Sequence, residues 1–264
     1  MSLLVAVKSC QRDRDLGYHD VIRDTWGKDL QNANLVFFSG GTSFGKDDEV
    51  LLLNCDDTYI GLPNKTRRIV ELALVGGDDF IFLCDTGSFV IPHHLMGCGF
   101  EQSDYMGFWG GGPYKPFPYA MEDNERGCPR QLIPKCYPWA AGGGYFLSRK
   151  AMEIVAKTEP KYWAEDLGVG QMMAENGIRF DDRPRRFKGY VVDWVGGDHN
   201  CGSGCRRKWM TERYEETKKL CETEGCMSAI WDKYEDRGRL ELPTKPKFVN
   251  PTPWDKSSAA WRQK

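Results

Sequence analysis

Short apolar runs at residues 3–7, 35–38, 50–53, 80–83 and 144–147 set the rhythm of the chain. Each has the length of a buried strand and is bounded by charged, glycine or other turn-forming residues. Helical spacing fills the intervals. Val21, Ile22 and Trp26 recur as one face of a helix over 18–26, and Ile69, Val70 and Leu74 do so over 65–74. Ser148 supplies an N-cap for a helix from Arg149 through Ile154 and Val155. A further helix starts near Asp166, runs through Val169, Met172 and Met173, and stops at Asn176-Gly177. His93 and His94, directly after Pro92, read as a helix start. Strand and helix signals alternating at this interval predict an α/β fold with a mostly parallel central sheet flanked by helices on both faces.

Two stretches break the rhythm. Residues 105–119 are crowded with glycine, proline and aromatic side chains, which predicts a loop that shapes a cleft and not an element interior. From 203 to about 235 the pattern becomes amphipathic and highly charged, and Pro243, Pro246, Pro251 and Pro253 then mark an extended tail. The expected organisation is one domain over 1–202 and a helical and extended C-terminal appendage over 203–264 packed on it.

Composition narrows the function classes. The chain has 264 residues, 41% of them hydrophobic and 28% charged, with a net charge of −2. That is enough chain for a full core, and it gives no positive field for nucleic acid, which is therefore not an expected partner. No stretch reaches the roughly 18 to 20 apolar residues of a membrane span. The first apolar run is too short for a signal peptide, so the expected location is cytoplasmic, with the Golgi lumen as the alternative for an excised lumenal piece. Ten cysteines are many for this length. Cys201, Cys205, Cys221 and Cys226 are grouped late, with disulfides, plain thiols and a structural zinc site all open.

Chemistry concentrates in four places. Asp85 stands where the run 80–83 ends, and a carboxylate at a strand's carboxyl end can ligate a divalent cation or cap the next turn. Glu165-Asp166 precede two glycines at a helix start, an arrangement that serves a base in a cleft as well as a helix cap. Trp139 and Tyr145 flank Gly142-Gly143-Gly144, and Trp109 precedes Gly110-Gly111-Gly112; aromatic and glycine residues together suit a sugar-accepting groove or a tight core turn. His199, in a glycine-rich loop, is a possible late metal ligand or a surface histidine.

Five segments in order resemble the inverting glycosyltransferases of the Fringe and β1,3-galactosyltransferase type. Residues 23–27, Arg-Asp-Thr-Trp-Gly, resemble R-x-T-W-G; residues 57–66 resemble D-[ST]-Y-x-N-L-T-x-K-T; and 85–90 fall on D-D-D-x-[FY]-V. Residues 137–148 fall on Y-P-x-[YW]-x-x-G-x-G-Y-x-L-S, and 165–170 on E-D-V-x-V-G. The resemblance covers about residues 3 to 180 and implies a GT-A domain that moves a sugar from a UDP-sugar to a hydroxyl of a glycan acceptor. It implies Asp166 as general base supported by Glu165, Lys8, Arg23, Asp85 and Thr86 on the nucleotide side, and Mn2+ held by Asp85 and His199. Trp109, Trp139 and Tyr145 would face the acceptor. The sequence departs from the pattern in one respect: Thr86 and Gly87 replace the second and third acids of the triplet. Three expectations follow: metal held weakly through Asp85, water and His199; transfer without metal, using Lys8 or Arg23; or a catalytically impaired carbohydrate-binding or scaffold module.

Overall fold

The computed structural model describes residues 1–42, 45–47, 50–111, 119–181, 192–194 and 203–224. The chain divides into two units, 1–219 and 220–264. The first unit holds a seven-stranded sheet in the order β3-β4-β2-β1-β5-β10-β7. Its strands are β1 (Leu3–Lys8), β2 (Asn34–Gly41), β3 (Gly45–Asp47), β4 (Val50–Asn54), β5 (Phe80–Asp85), β7 (Tyr105–Gly111) and β10 (Trp139–Ser148). Two small two-stranded sheets pair β6 (Ser88–Val90) with β11 (Val192–Trp194), and β8 (Tyr119–Asp123) with β9 (Cys128–Ile133).

The sheet is mixed, which corrects the expectation of a mostly parallel one. β4, β2, β1 and β5 are parallel, whereas β3 pairs antiparallel with β4, and β10 pairs antiparallel with both β5 and β7. The parallel half is where the helical crossovers lie. These are α1 (Gln11–Asp15) and α2 (Tyr18–Asp24) after β1, and α3 (Leu62–Gly76) before β5. The remaining helices are α4 (Pro92–Gly97), α5 (Arg149–Lys157), α6 (Glu165–Glu175) and α7 (Ser203–Glu224).

The stretch read as a loop over 105–119 is also corrected, because 105–111 form strand β7. Its glycines serve close strand contact and do not break the strand. A Cβ on Gly107 would lie 2.6 Å from the Ala140 Cβ and 2.7 Å from the Tyr145 Cβ, where β10 bulges between Ala140 and Tyr145.

Alternation along β1 builds both cores. Leu3, Val5 and Val7 join Ile22, Trp26, Phe82 and Phe146 on one face, with Met210 of α7 among them. Leu4 and Ala6 face the other side, with Ile69 and Val70 of α3, Met152 of α5 and Met173 of α6. The same alternation carries Lys8, Asp85 and Tyr145 onto the face covered by α3 and α6. Helix ends follow their sequence signals: Ser148 Oγ accepts the Ala151 N–H at 3.3 Å, and Gly177, at φ +75°, follows α6. Among the described residues no helix is long and apolar enough to cross a membrane.

Candidate functional site

The site begins where β1 and β5 end. Their parallel register sets Lys8 opposite Asp85, so an ammonium and a carboxylate leave the sheet side by side on the α6 face. Lys8 is 4% exposed. Its Nζ lies 2.9 Å from Glu165 Oε2 and 3.4 Å from Asp85 Oδ1. Burial opposes the charged ammonium, but the Asp85 and Glu165 carboxylates outweigh it and hold the Lys8 pKa above the ordinary lysine range.

Glu165 opens α6 and is itself 5% exposed. Besides Lys8 it accepts a hydrogen bond from Thr66 Oγ1 of α3 at 2.8 Å and one from the Tyr145 hydroxyl of β10. With these three donors from three elements, Glu165 ties the sheet to α3 and α6. Its neighbour Asp166 follows in the first turn of α6. It is half-buried, and its Oδ1 accepts the Leu167 N–H at 2.7 Å. Burial, reinforced by the negative charge of Glu165, raises the Asp166 pKa to about 6, with the Leu167 N–H and Lys8 opposing. The Asp85 side chain is 41% exposed at the mouth. The hydration it does lose, together with Glu165, lifts its pKa against the pull of Lys8.

β10 passes this mouth closely. A Cβ on Gly142 would lie 3.1 Å from Asp85 Oδ2, so glycine leaves room beside the carboxylate. Thr86 is buried and its hydroxyl donates to the Asp13 carboxylate of α1 at 2.5 Å, which closes the wall between β5 and α1.

The remaining expected site residues are placed as follows. Tyr145 has no exposed surface, its ring packing against Tyr105 and Lys8, so it braces Glu165 and presents no face for a sugar. Trp139 is half-buried on a small core with Trp163 and Leu167, and its ring lies under Gly110 and Gly111. Arg23 stands over the Phe37 ring, 4.8 Å from its centroid, and pairs with Asp20 at 3.0 Å. The backbone of Trp109 runs in β7, while its side chain lies outside the described residues, as do His199 and the side chains of Cys201, Cys205, Cys221 and Cys226. The six described cysteines form no disulfide with one another.

Among the described residues no three His, Cys, Asp or Glu side chains converge on one point, and His199, the other expected metal ligand, lies outside them. Asp85, the acid retained from the triplet, already has a protein cation 3.4 Å away.

Sequence reasoning did not single out Tyr59, Arg126 and Trp163 at the rim. Tyr59 is 38% exposed, the Arg126 guanidinium sits 4.6 Å from its ring centroid, and the Trp163 ring is 6.2 Å away. Tyr59 belongs to the 57–66 segment, which gave a signal of sorts; Arg126, in the β8–β9 turn, gave none.

Neither a protein-family model nor a curated protein sequence matches the chain. Among solved structures, a glycosyltransferase involved in the glycosylation of the major capsid of PBCV-1 is 11% identical, with a TM-score of 0.43 over 80% of this chain and 100% of that one. A197 from STIV is 10% identical, with a TM-score of 0.36 over 68% of this chain and 80% of that one. At these values neither comparison assigns the chain to a family.

Proposed function

We propose that the chain is a carbohydrate-binding module built on a glycosyltransferase-like α/β fold, with its ligand at the carboxyl ends of β1 and β5. The observation that carries this reading is the Lys8–Asp85 pair at 3.4 Å. The acid that would ligate a metal already faces a protein cation. What remains open to solvent is acceptor chemistry. Asp85 and Asp166 offer carboxylate oxygens to sugar hydroxyls, and Tyr59 offers a ring face, the combination that orients a polar ligand with an apolar flank.

A second reading rests on the place of Asp166, half-buried in the first turn of α6 next to Glu165, where its pKa is raised to about 6. A half-buried carboxylate tuned towards neutral pH suits a general base. It would take the proton from an acceptor hydroxyl as that oxygen bonds to the anomeric carbon of a UDP-sugar. The bond from that carbon to the diphosphate oxygen would break, its electron pair leaving with UDP, and the configuration would invert.

One experiment separates the two. UDP, UDP-sugars and neutral oligosaccharides are titrated calorimetrically into the full chain, with manganese and with chelator, and UDP release is followed in parallel. Oligosaccharide binding indifferent to chelator, without UDP release, is the expected result. UDP release that is lost in Asp166→Asn while ligand affinity persists would replace the module with the transferase. Absence of binding by every ligand would overturn both.

A further inference from the structure

We infer that Tyr59 and Arg126, braced by Trp163, form a stacking shelf for an uncharged pyranose ring beside Asp166; this rests on the carbohydrate-binding reading. Three separate segments converge to build the shelf. Tyr59 comes from the turn before α3, Arg126 from the β8–β9 turn, and Trp163 from the segment that leads into α6.

Each member is locked in place. The Tyr59 turn is closed by Asp56, which accepts the Thr58 N–H at 2.9 Å, and by the Leu62 N–H donating to the Tyr59 carbonyl at 3.2 Å. Gly61 permits that turn, since a Cβ there would sit 2.2 Å from the Asp56 carbonyl oxygen. Arg126 is fixed by Asp123, which accepts its backbone N–H at 3.1 Å and its guanidinium at 2.8 Å. Trp163 donates its indole N–H to the Pro129 carbonyl at 2.8 Å, and its backbone N–H reaches Gln131 Oε1 at 3.1 Å. These two bonds staple the β8–β9 hairpin to the segment that presents Asp166. A surface aromatic held this firmly loses little entropy when a ligand settles on it.

The charges select the ligand. Asp123 offsets the Arg126 cation, and Asp166 and Asp85 act electrostatically on the Tyr59 hydroxyl, so the shelf adjoins acids and repels an anionic sugar. The apolar C–H face of an uncharged pyranose matches the Tyr59 ring. Its hydroxyls match the acid-rich surroundings, while Arg126, 4.6 Å from the Tyr59 ring centroid, steadies the ring.

The test uses the full chain and calorimetry with neutral oligosaccharides ending in galactose, glucose or N-acetylglucosamine, and with sialylated counterparts. Tyr59→Ala is expected to weaken neutral-glycan binding by about tenfold or more, and Arg126→Gln by about three- to fivefold. Tyr59→Phe, which keeps the ring, restores most of the affinity. Thermal midpoints of the three variants check that folding is intact. Glycan binding by the unmodified chain that persists unchanged in Tyr59→Ala would overturn the shelf and leave the module standing. Tighter binding of the sialylated forms would overturn the choice of an uncharged ring. Failure of the unmodified chain to bind any glycan would remove the module and the shelf together.

Discussion

Two buried lysines, Lys8 at the end of β1 and Lys65 of α3, meet carboxylates in opposite ways. Lys65 Nζ reaches the Ser9 carbonyl at 3.1 Å, the Asp57 carbonyl at 3.2 Å and Asp57 Oδ1 at 2.9 Å. The Asp57 carboxylate also accepts from Ser39 Oγ at 2.9 Å and from the Gly40 and Gln11 N–H groups, each at 2.8 Å. One acid thus receives four donors. Burial alone would raise its pKa, but those bonds more than offset it and hold Asp57 below the usual carboxylate range. Around Lys8 the ratio is reversed. A single ammonium faces Glu165 and Asp85, with Asp166 next in line, and the pKa values of Asp85 and Asp166 are both raised. Similar residue types yield a saturated joint in one place and a poised, acid-rich mouth in the other. The number of donors per carboxylate decides which.

The largest expected effect comes from removing either cation. Lys8→Met takes the counter-charge from a buried Glu165, leaving it the neutral donors Thr66 and Tyr145 beside the Asp85 carboxylate, and should cost about 3–5 kcal/mol of folding stability. Lys65→Met should cost less, about 1–3 kcal/mol, because Asp57 keeps three other donors and its side chain is 27% exposed. Urea unfolding of both variants measures the difference. Equal losses would mean that donor count does not distinguish the clusters.

The saturated joint was hidden in the sequence, and the reasons are physical. Asp57 and Lys65 are visible within one segment, but Ser39 and Gly40 of β2 and Gln11 of α1 reach the same carboxylate from two other elements. Lys8 and Glu165 are 157 residues apart, so their pairing depends on the whole sheet and on α6 docking. By contrast, the parallel strands, the Ser148 cap and the Asn176-Gly177 stop were legible, because each depends on local periodicity or turn chemistry. β7 was misread because glycine lowers strand propensity in general, whereas here Gly107 answers a specific contact with Ala140 and Tyr145. Glu165 and Asp166 were legible as a pair. Their division of labour was not, since it follows from which of them α6 turns towards Lys8.

Two glycines give a second, smaller contrast. A Cβ on Gly40 would lie 2.6 Å from both the Asp57 N and Cα atoms, backbone that the four donors prevent from moving. Gly40→Ala should therefore cost about 1–3 kcal/mol. On Gly142 the three atoms nearest the Cβ would all belong to the Asp85 carboxylate, Oδ2 first at 3.1 Å, the end of a partly exposed side chain that can swing away. Gly142→Ala should cost less than about 1 kcal/mol and should act on ligand binding at the mouth instead. Comparable destabilisation by both would show that the Asp85 mouth is as rigid as the Asp57 joint.

The smallest effect is in pH dependence, and it separates the clusters by sign. Asp57 is depressed in the folded chain, so its contribution is present above its unfolded value and is lost as pH falls through the folded one. Asp57→Asn should therefore destabilise at neutral pH, with the deficit fading in acid. Asp166 is raised from 3.8 to about 6 in the folded chain, so its penalty is absent in acid, grows between those values and is complete above them. Asp166→Asn should accordingly be more stable than the unmodified chain above about pH 6, by about 1 kcal/mol after allowance for partial exposure, with no advantage below about pH 4. Denaturant unfolding at a series of pH values reads both variants. Opposite signs at neutral pH would establish that the same side chain serves as cement in one cluster and as a strained, available acid in the other. A shared sign would dissolve that distinction and, with it, the case for Asp166 as the group held ready for a ligand.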